Sequence, residues 1–258
     1  MSRVRANGLD FTIKDSGTGE PLILVHGGST DRHQYDTFSP LLGDGIRTIA
    51  CDQRDSPDTP CPPEPYTMHD HADDLAGIVK ALELDRVHIF GVSYGGAVAM
   101  TTAIRHPNIV KSLILGATAA CADHFRSEGM LEKQKEGAEA LQQYMLQLFI
   151  TPEAIKDDPG LIAEMETGLA ARDPDATGRR MQALASHDVR ESLSKITAPT
   201  LVMTGDGDAL TPEDTAIWMA EQIPNSEFVR LQGSRHGITL QHRDRTADYT
   251  RKFVLRNV

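Results

Sequence analysis

The sequence predicts an α/β protein: a doubly wound, mostly parallel sheet with an inserted helical cap. Two observations support this prediction. Short, continuous apolar runs, typical of strands covered on both faces, alternate with segments of helical periodicity. The alternation stops after residue 118 and resumes only near residue 193. Strands that alternate with helices indicate a parallel sheet built from right-handed crossovers.

In the first half of the chain, each element follows from a local pattern. Residues 9–14 alternate apolar and polar side chains, which predicts an antiparallel edge strand. A helix is expected over 35–42, and another begins at a capping box formed by Thr67 and Asp70. The proline-rich residues 60–65 are expected to form a surface connection. Continuous apolar runs predict buried strands over 22–25, 47–51, 86–90 and 110–115.

The second half of the chain contains the cap and the end of the sheet. Apolar side chains at helical spacing predict cap helices near 141–148, 161–169 and 181–184. A helix is also expected after the cap, with the Thr211 hydroxyl as its N-cap and Pro212 at its first position. Two further strands are predicted over 200–203 and 228–231. The predicted domains are a core of 1–118 and 193–258 and a cap of 119–192.

Composition excludes several classes of function. The 258 residues carry 26 basic and 37 acidic side chains, a net charge of −11, without a basic run, so nucleic acid and anionic membrane surfaces are not expected partners. No apolar run approaches the roughly 18 residues that span a membrane, and the N-terminal residues lack the apolar core of a signal peptide. The widely spaced Cys51, Cys61 and Cys121 predict free thiols in a reducing, cytoplasmic setting. A monomer or a homodimer is expected.

The most informative stretch is Gly91-Val92-Ser93-Tyr94-Gly95-Gly96, between a predicted strand and a predicted helix. The pattern Gly-x-Ser-x-Gly is typical of a nucleophile elbow, where flanking glycines permit a sharp turn that lifts the serine out of the sheet. The N-terminus of the following helix favours negative charge there. A glycine-rich turn without catalytic function gives the same pattern, so the interpretation depends on partner residues.

A serine nucleophile needs a base, and the base needs an orienting group. Side chains at the carboxyl ends of parallel strands converge on one edge of the sheet, where ligands bind. Candidates follow three other predicted strands: His26-Gly27-Gly28, the pair Asp206 and Asp208, and His236. The chain order serine, aspartate, histidine is that of a known hydrolase triad.

These motifs resemble those of the α/β-hydrolase superfamily over nearly the whole chain. The matching residues are His26-Gly27-Gly28, the elbow at 91–96, Gly205-x-x-Asp208-x-x-x-Pro212 and Gly233-x-x-His236. The resemblance implies that Ser93 is the nucleophile, that His236 is the general base and then acid, and that Asp208 orients it. It also implies an oxyanion hole formed by the backbone N–H groups of Gly28 and Tyr94. The family spacing to Pro212 selects Asp208 and leaves Asp206 as a turn former.

Other candidate residues have simpler interpretations. His26 is expected to be structural, and His69 and His71 are expected on or beside a helix surface. Trp218 is expected to serve in packing. The family usually carries an Arg-Gly-x-Gly-x-Ser-like loop after its third strand, and this chain has Arg54-Asp55-Ser56-Pro57-Asp58-Thr59 instead. That departure puts the loop conformation in question, and the loop is a candidate wall of the pocket.

The overall pattern is similar to 3-oxoadipate enol-lactone hydrolases and small carboxylesterases. This resemblance implies hydrolysis of a small carboxylic ester or lactone through an acyl-enzyme on Ser93, without metal or cofactor. A C–C bond hydrolase, a cofactor-free perhydrolase and a ligand receptor of the same fold remain alternatives. The serine at the elbow argues against the aspartate-dependent haloalkane dehalogenases and epoxide hydrolases. Candidate pocket residues are Ser29, Met130, Leu141 and Met145, and the apolar ones suggest a hydrophobic substrate portion.

Overall fold

The computed structural model describes residues 2–126, 128–169 and 173–258, and an eight-stranded sheet forms its centre. The spatial order of the strands is β1-β2-β4-β3-β5-β6-β7-β8. The pairs β1–β2 and β2–β4 are antiparallel, and the other five pairs are parallel. The strands are β1 (Ser2–Ala6), β2 (Leu9–Ser16), β3 (Gly19–Val25), β4 (Gly45–Cys51), β5 (Val87–Val92), β6 (Val110–Gly116), β7 (Thr200–Gly205) and β8 (Ser226–Leu231). The predicted fold class is confirmed.

Nine α-helices lie within the described ranges, together with short 3₁₀ helices. The α-helices are α1 (Met68–Ala81), α2 (Tyr94–Arg105), α3 (Glu128–Glu136), α4 (Ala138–Phe149), α5 (Pro152–Asp157), α6 (Gly160–Gly168), α7 (Pro174–Ala185), α8 (Glu213–Gln222) and α9 (Arg243–Arg256). The 3₁₀ helices are Arg32–Tyr35, Ser39–Leu42, Pro107–Ile109, Ala122–His124 and Arg190–Lys195. None of the described helices is both long and apolar enough to cross a bilayer.

The strands are apolar on both faces because helices cover both sides of the sheet. In β3, Ile23 and Val25 belong to the core that also contains α1, α2 and α8. The alternate residues Leu22 and Leu24 belong to the opposite core, which contains α9 and the 3₁₀ helices near residue 40. This two-sided burial explains why the sequence shows continuous apolar runs rather than alternation.

Two local predictions were wrong. The strand expected at the edge, β2, is covered by β1, which the sequence does not reveal because only Val4 and Ala6 point into the core. The helix expected over 35–42 is two 3₁₀ turns instead, Arg32–Tyr35 and Ser39–Leu42. Pro40 has no N–H to donate to the carbonyl of the preceding turn, and this breaks a continuous α-helix.

Helices α3 to α7 occupy the segment between β6 and β7. Helices α4, α6 and α7 correspond to the predicted cap helices. Helices α3 and α5 were not predicted, because α3 is mostly polar and α5 is only six residues long. The two connections to the sheet run side by side: Val189 N–H donates to Ala120 O and Ala122 N–H donates to His187 O, both at 2.8 Å. We propose residues 119–192 as a cap unit on this basis.

His187 lies at this base of the cap and makes stability depend on pH. Burial lowers the pKa of its imidazole to about 4, against an ordinary value of 6.5. As the pH falls below 6.5, the unfolded chain therefore binds the proton before the folded chain does, and stability is lost down to about pH 4. For His187→Gln we expect the loss in unfolding free energy between pH 7 and 4.5 to shrink by about 2–3 kcal/mol.

Urea denaturation at several pH values measures this effect. The matched control is His69→Gln, because the His69 side chain is exposed at the start of α1. An unchanged pH dependence in His187→Gln would contradict the assignment.

Candidate active site

Ser93 sits on a strained turn between β5 and α2. Its backbone has φ 56° and ψ −121°, a left-handed conformation that is costly for a residue other than glycine. Glycine is required on both sides: a Cβ on Gly91 would lie 2.3 Å from Gly95 O, and a Cβ on Gly95 would lie 2.1 Å from Val25 O. The tight packing of this turn against β3 holds Ser93 in place.

The acid and the histidine meet at the ends of β7 and β8. One carboxylate oxygen of Asp208 accepts a hydrogen bond from His236 Nδ1 at 2.8 Å, and both side chains are buried. Asp206 instead accepts the Gly233 N–H at 2.9 Å, within a turn. Asp208, not Asp206, therefore contacts the histidine.

Asp208 is held by more donors than His236 alone. Its Oδ1 accepts the N–H groups of Leu210 and Thr211 at 2.9 Å, and its Oδ2 also accepts the Thr211 hydroxyl at 2.8 Å. Burial by itself would raise the pKa of the Asp208 carboxyl, but the charge and hydrogen bond of His236, with the Thr211 donors, lower it. The carboxylate stays ionised and fixes the His236 tautomer with its proton on Nδ1.

Thr211 thus has a different role from the predicted one. The N-cap of α8 is Pro212, without a side-chain cap, and the Thr211 hydroxyl binds Asp208 instead. The local pattern was that of a helix start, but a buried carboxylate three residues earlier is the stronger acceptor.

The other ring nitrogen of His236 is the candidate base. Its Nε2 is buried and makes no hydrogen bond to any described residue. Ser93 and His236 both line one cavity, so the nucleophile candidate and the histidine belong to the same site. An unpartnered buried ring nitrogen costs stability, which points to a role with a bound molecule or with Ser93.

The cap holds the histidine loop from above. The N–H groups of His236 and Gly237 donate to the carbonyls of Leu148 and Phe149 in α4, at 3.1 and 3.0 Å. The Phe149 ring lies edge-on to the imidazole, with centroids 5.0 Å apart. The cap therefore helps to set the orientation of the His236 ring.

The predicted oxyanion-hole residues lie next to each other. A Cβ placed on Gly28 would be 3.5 Å from the Tyr94 Cβ, and Tyr94 is the first residue of α2. The loop before Gly28 is held by Gln34, whose Oε1 accepts the Gly27 N–H at 2.9 Å. The Gln34 amide also donates to Thr239 Oγ1 at 3.2 Å. Gln34, which sequence reasoning missed, thus links the loop that carries Gly28 to the loop that carries His236.

The Tyr94 side chain is fixed by polar and charged neighbours. Its hydroxyl shares a 2.8 Å hydrogen bond with His71 Nε2, and the Arg180 guanidinium from α7 lies 4.3 Å from its ring centre. His71 was expected near the helix surface and is buried instead. Burial, with the charges of Arg180 and Arg54, lowers the pKa of His71 well below its ordinary value and keeps it neutral.

The cavity itself has a volume of about 190 Å³ and lies between the sheet edge and the cap. Of the predicted pocket residues, Ser29, Met130 and Met145 line it, whereas Leu141 does not. Much of the remaining wall is apolar and comes from the cap and the residues next to it. These apolar lining residues include Phe125, Met130, Met145, Met165, Met181 and Leu210. Its apolar walls and few polar groups are typical of a small-molecule site.

The unusual loop at 54–59 does not line the cavity but binds the cap. Asp55 adopts φ 62°, where the family pattern has glycine, and the Arg179 guanidinium donates to both of its carboxylate oxygens at 2.8 Å. The neighbouring Arg180, fully buried, donates to the carbonyl of Arg54 and to Gln53 Oε1. In this chain the departure from the family pattern joins the core to α7.

The cysteines show no sign of a second nucleophile. Cys51 is buried, and burial raises its pKa well above the ordinary value. Burial and the neighbouring Asp55 carboxylate raise the pKa of Cys61 to about 11. Neither thiol is activated as a catalytic cysteine would be. In the part of the chain that the structure describes, no group of three or more metal-binding side chains comes together.

Comparison with known proteins agrees with the motifs. A model of the alpha/beta hydrolase family matches residues 22–249. The pimeloyl-[acyl-carrier protein] methyl ester esterase of Neisseria meningitidis serogroup B is 30% identical, covering 90% of this chain and 92% of its own. The 2-hydroxy-6-oxo-2,4-heptadienoate hydrolase of Pseudomonas putida is 29% identical, covering 87% of this chain and 85% of its own.

The solved structures give the same fold. The enol-lactonase of Burkholderia xenovorans LB400 superimposes with a TM-score of 0.88 at 21% identity, covering 98% of this chain and 99% of its own. The chain belongs to the alpha/beta hydrolase family, as its motifs predicted. It is a hydrolytic enzyme.

Proposed function

We propose that the protein hydrolyses a small carboxylic ester or lactone through an acyl-enzyme on Ser93. The observation that carries this proposal is the shared cavity: Ser93 and His236 both line it. Asp208 binds Nδ1 of His236, and its Nε2 has no hydrogen-bond partner among the described residues. That arrangement supplies a nucleophile, a base and an orienting acid in the order in which acyl transfer needs them.

The proposed first step is attack of Ser93 Oγ on the substrate carbonyl carbon. His236 Nε2 accepts the serine proton, and the resulting imidazolium is stabilised by the Asp208 carboxylate. The negative charge that develops on the carbonyl oxygen is held by the backbone N–H groups of Gly28 and Tyr94. One such donor typically contributes about 10²–10³ in rate.

The second step releases the alcohol. Its oxygen takes the proton from His236 as the C–O bond breaks, and the acyl group stays on Ser93. Water then enters, His236 removes its proton, and attack on the acyl-enzyme returns Ser93 Oγ to its starting state and frees the acid. A lactone follows the same steps, except that the alcohol and the acid leave as one molecule.

The relatives support a hydrolytic reaction, but their names do not agree on the kind of substrate. The Neisseria relative is named as an ester hydrolase, and the Pseudomonas relative is named for a dienoate substrate. We favour esters because the cavity walls are apolar and because the closer of these two relatives is the esterase. C–C bond cleavage and a receptor of the same fold are the competing functions.

A turnover assay tests this proposal. We expect the purified protein to release many equivalents of p-nitrophenol from p-nitrophenyl butyrate, and to open a simple γ-lactone or δ-lactone more slowly. A single equivalent released without further turnover would indicate a receptor. Cleavage of a vinylogous 1,5-diketone without ester turnover would contradict the proposal in favour of a C–C hydrolase.

A further inference from the structure

We propose that the substrate is an uncharged ester whose acyl group is apolar, and that Glu164 is a specificity-determining residue that disfavours carboxylate-bearing substrates. This inference rests on the proposed function and adds to it the charge class of the substrate. It comes from the charges that face the cavity and from those that lie directly behind its wall.

The described residues that line the cavity include no cationic anchor for a carboxylate. Within residues 2–126, 128–169 and 173–258, neither a lysine nor an arginine lines it. Among the described lining residues, Glu164 is the one with an acidic side chain. The other described lining residues with polar side chains, apart from Ser93 and His236, are Ser29, Thr30, His33, Gln34, Tyr94 and Thr239.

The arginine that contacts Glu164 is itself bound by carboxylates. Arg243, at the start of α9, donates to both carboxylate oxygens of Glu164 at 2.8 Å. Glu164 also accepts the Thr37 hydroxyl at 2.6 Å, and Asp158 lies 3.8 Å from Arg243. The positive charge of Arg243 is thus shared between two carboxylates, and little of it is left for a third.

His33 does not provide a free positive charge either. Its Nδ1 lies 2.7 Å from Asp36 Oδ2, and Asp36 is also bound by Lys14 at 2.7 Å. A protonated His33 would have its charge matched by that carboxylate. The polar end of the cavity therefore offers hydroxyl and amide groups, which suit neutral ester and ether oxygens.

The remaining walls suit an apolar acyl group. The thioethers of Met130, Met145, Met165 and Met181 adapt to irregular hydrocarbon shapes without offering a donor. A carboxylate moved from water into these surroundings would lose its hydration without gaining a partner, which is costly. The volume of about 190 Å³ limits the fit to small substrates.

This inference separates the chain from one of its relatives. A heptadienoate carries a carboxylate, and the Pseudomonas hydrolase is named for such a substrate. A cavity that excludes carboxylates would be unsuited to that reaction. The same charges therefore argue for a neutral ester and against an acidic C–C hydrolase substrate.

The test compares two substrates that differ at one carboxyl group, which is free in the first and methylated in the second. The first is the p-nitrophenyl monoester of glutaric acid, which carries a free carboxylate. The second is its methyl ester, which is neutral. We expect wild-type kcat/KM for the monoanion to be about 10²-fold lower than for the diester, because the carboxylate must be desolvated beside Glu164.

Glu164→Gln tests the residue itself. This change removes the negative charge and releases Arg243, so the ratio of monoanion to diester kcat/KM should rise about tenfold. The matched control is Glu166→Gln on the same helix, where the carboxylate binds Gln142 and does not line the cavity. The control should leave the ratio at its wild-type value.

The outcomes separate the two levels of the proposal. Equal or faster turnover of the monoanion by the wild type would overturn the substrate class. An unchanged ratio in Glu164→Gln would overturn the role of Glu164. Hydrolysis of neither ester, together with failure of p-nitrophenyl butyrate, would instead contradict the proposed function on which the inference rests.

Discussion

Ser93→Ala is expected to lower kcat/KM for p-nitrophenyl butyrate by about 10⁴- to 10⁶-fold. Alanine removes the Oγ that forms the acyl-enzyme and keeps the Cβ that the turn already accommodates at φ 56°. The fold should therefore be unaffected, and thermal unfolding by circular dichroism checks this. Activity within tenfold of the wild type in a folded variant would contradict the assignment of the nucleophile.

Ser93→Gly tests whether the backbone at Ser93 is strained. Glycine adopts a positive φ at little cost, so this variant should be equally inactive but more stable by about 1 kcal/mol. Chemical denaturation of the three proteins gives the comparison. A stability gain with loss of activity is the result expected when backbone strain is retained for function.

Asp208→Asn is expected to lower kcat by about 10⁴-fold. The N–H groups of Leu210 and Thr211 can only donate, so the amide oxygen would take the Oδ1 position that they bind. The amide nitrogen would take the Oδ2 position, where the Thr211 hydroxyl can accept from it. The amide nitrogen would then face His236 Nδ1 and favour the wrong tautomer. Steady-state kinetics with p-nitrophenyl butyrate measure the loss.

Asp206→Asn is the matched control for that variant. Asp206 lies two residues earlier in the same loop, and its carboxylate accepts the Gly233 N–H. We expect its kcat to stay within about fivefold of the wild type, because an amide oxygen can accept the same bond. Equal losses in the two variants would show that the loop, rather than the Asp208–His236 contact, is responsible.

The triad candidates could be predicted because each one follows a strand. Ser93 follows β5, Asp208 follows β7 and His236 follows β8, and parallel strands bring their carboxyl ends to one edge. Continuous apolar runs located these strands without knowledge of any contact. The fold class was readable for the same reason, since burial on both faces leaves a strong signal.

Long-range polar contacts could not be predicted in this way. Gln34 donates to Thr239, 205 residues further along the chain, and Asp55 binds Arg179, 124 residues away. Neither contact leaves a local pattern. His71 is different: it lies four residues before Leu75, on the apolar face of α1, so its burial could have been inferred from helical spacing.

The cavity-lining residues of the cap could be predicted only in part. The pattern of an amphipathic helix shows which face is apolar but not what that face covers. Met145 lines the cavity, whereas Leu141, one turn earlier on α4, shares its face but does not reach the space. Helical spacing gives the direction of a side chain and not its height above the active site. The charge environment of Glu164 is likewise set by α9, which is distant in sequence.

The most direct test of the central claim is covalent labelling of the proposed nucleophile. The protein is treated with a fluorophosphonate, and the adduct is located by intact mass and peptide mapping. We predict one adduct per chain, on Ser93, which disappears in Ser93→Ala and forms far more slowly in Asp208→Asn. An adduct on another residue, or ester turnover by a protein whose Ser93 stays unlabelled, would contradict the account.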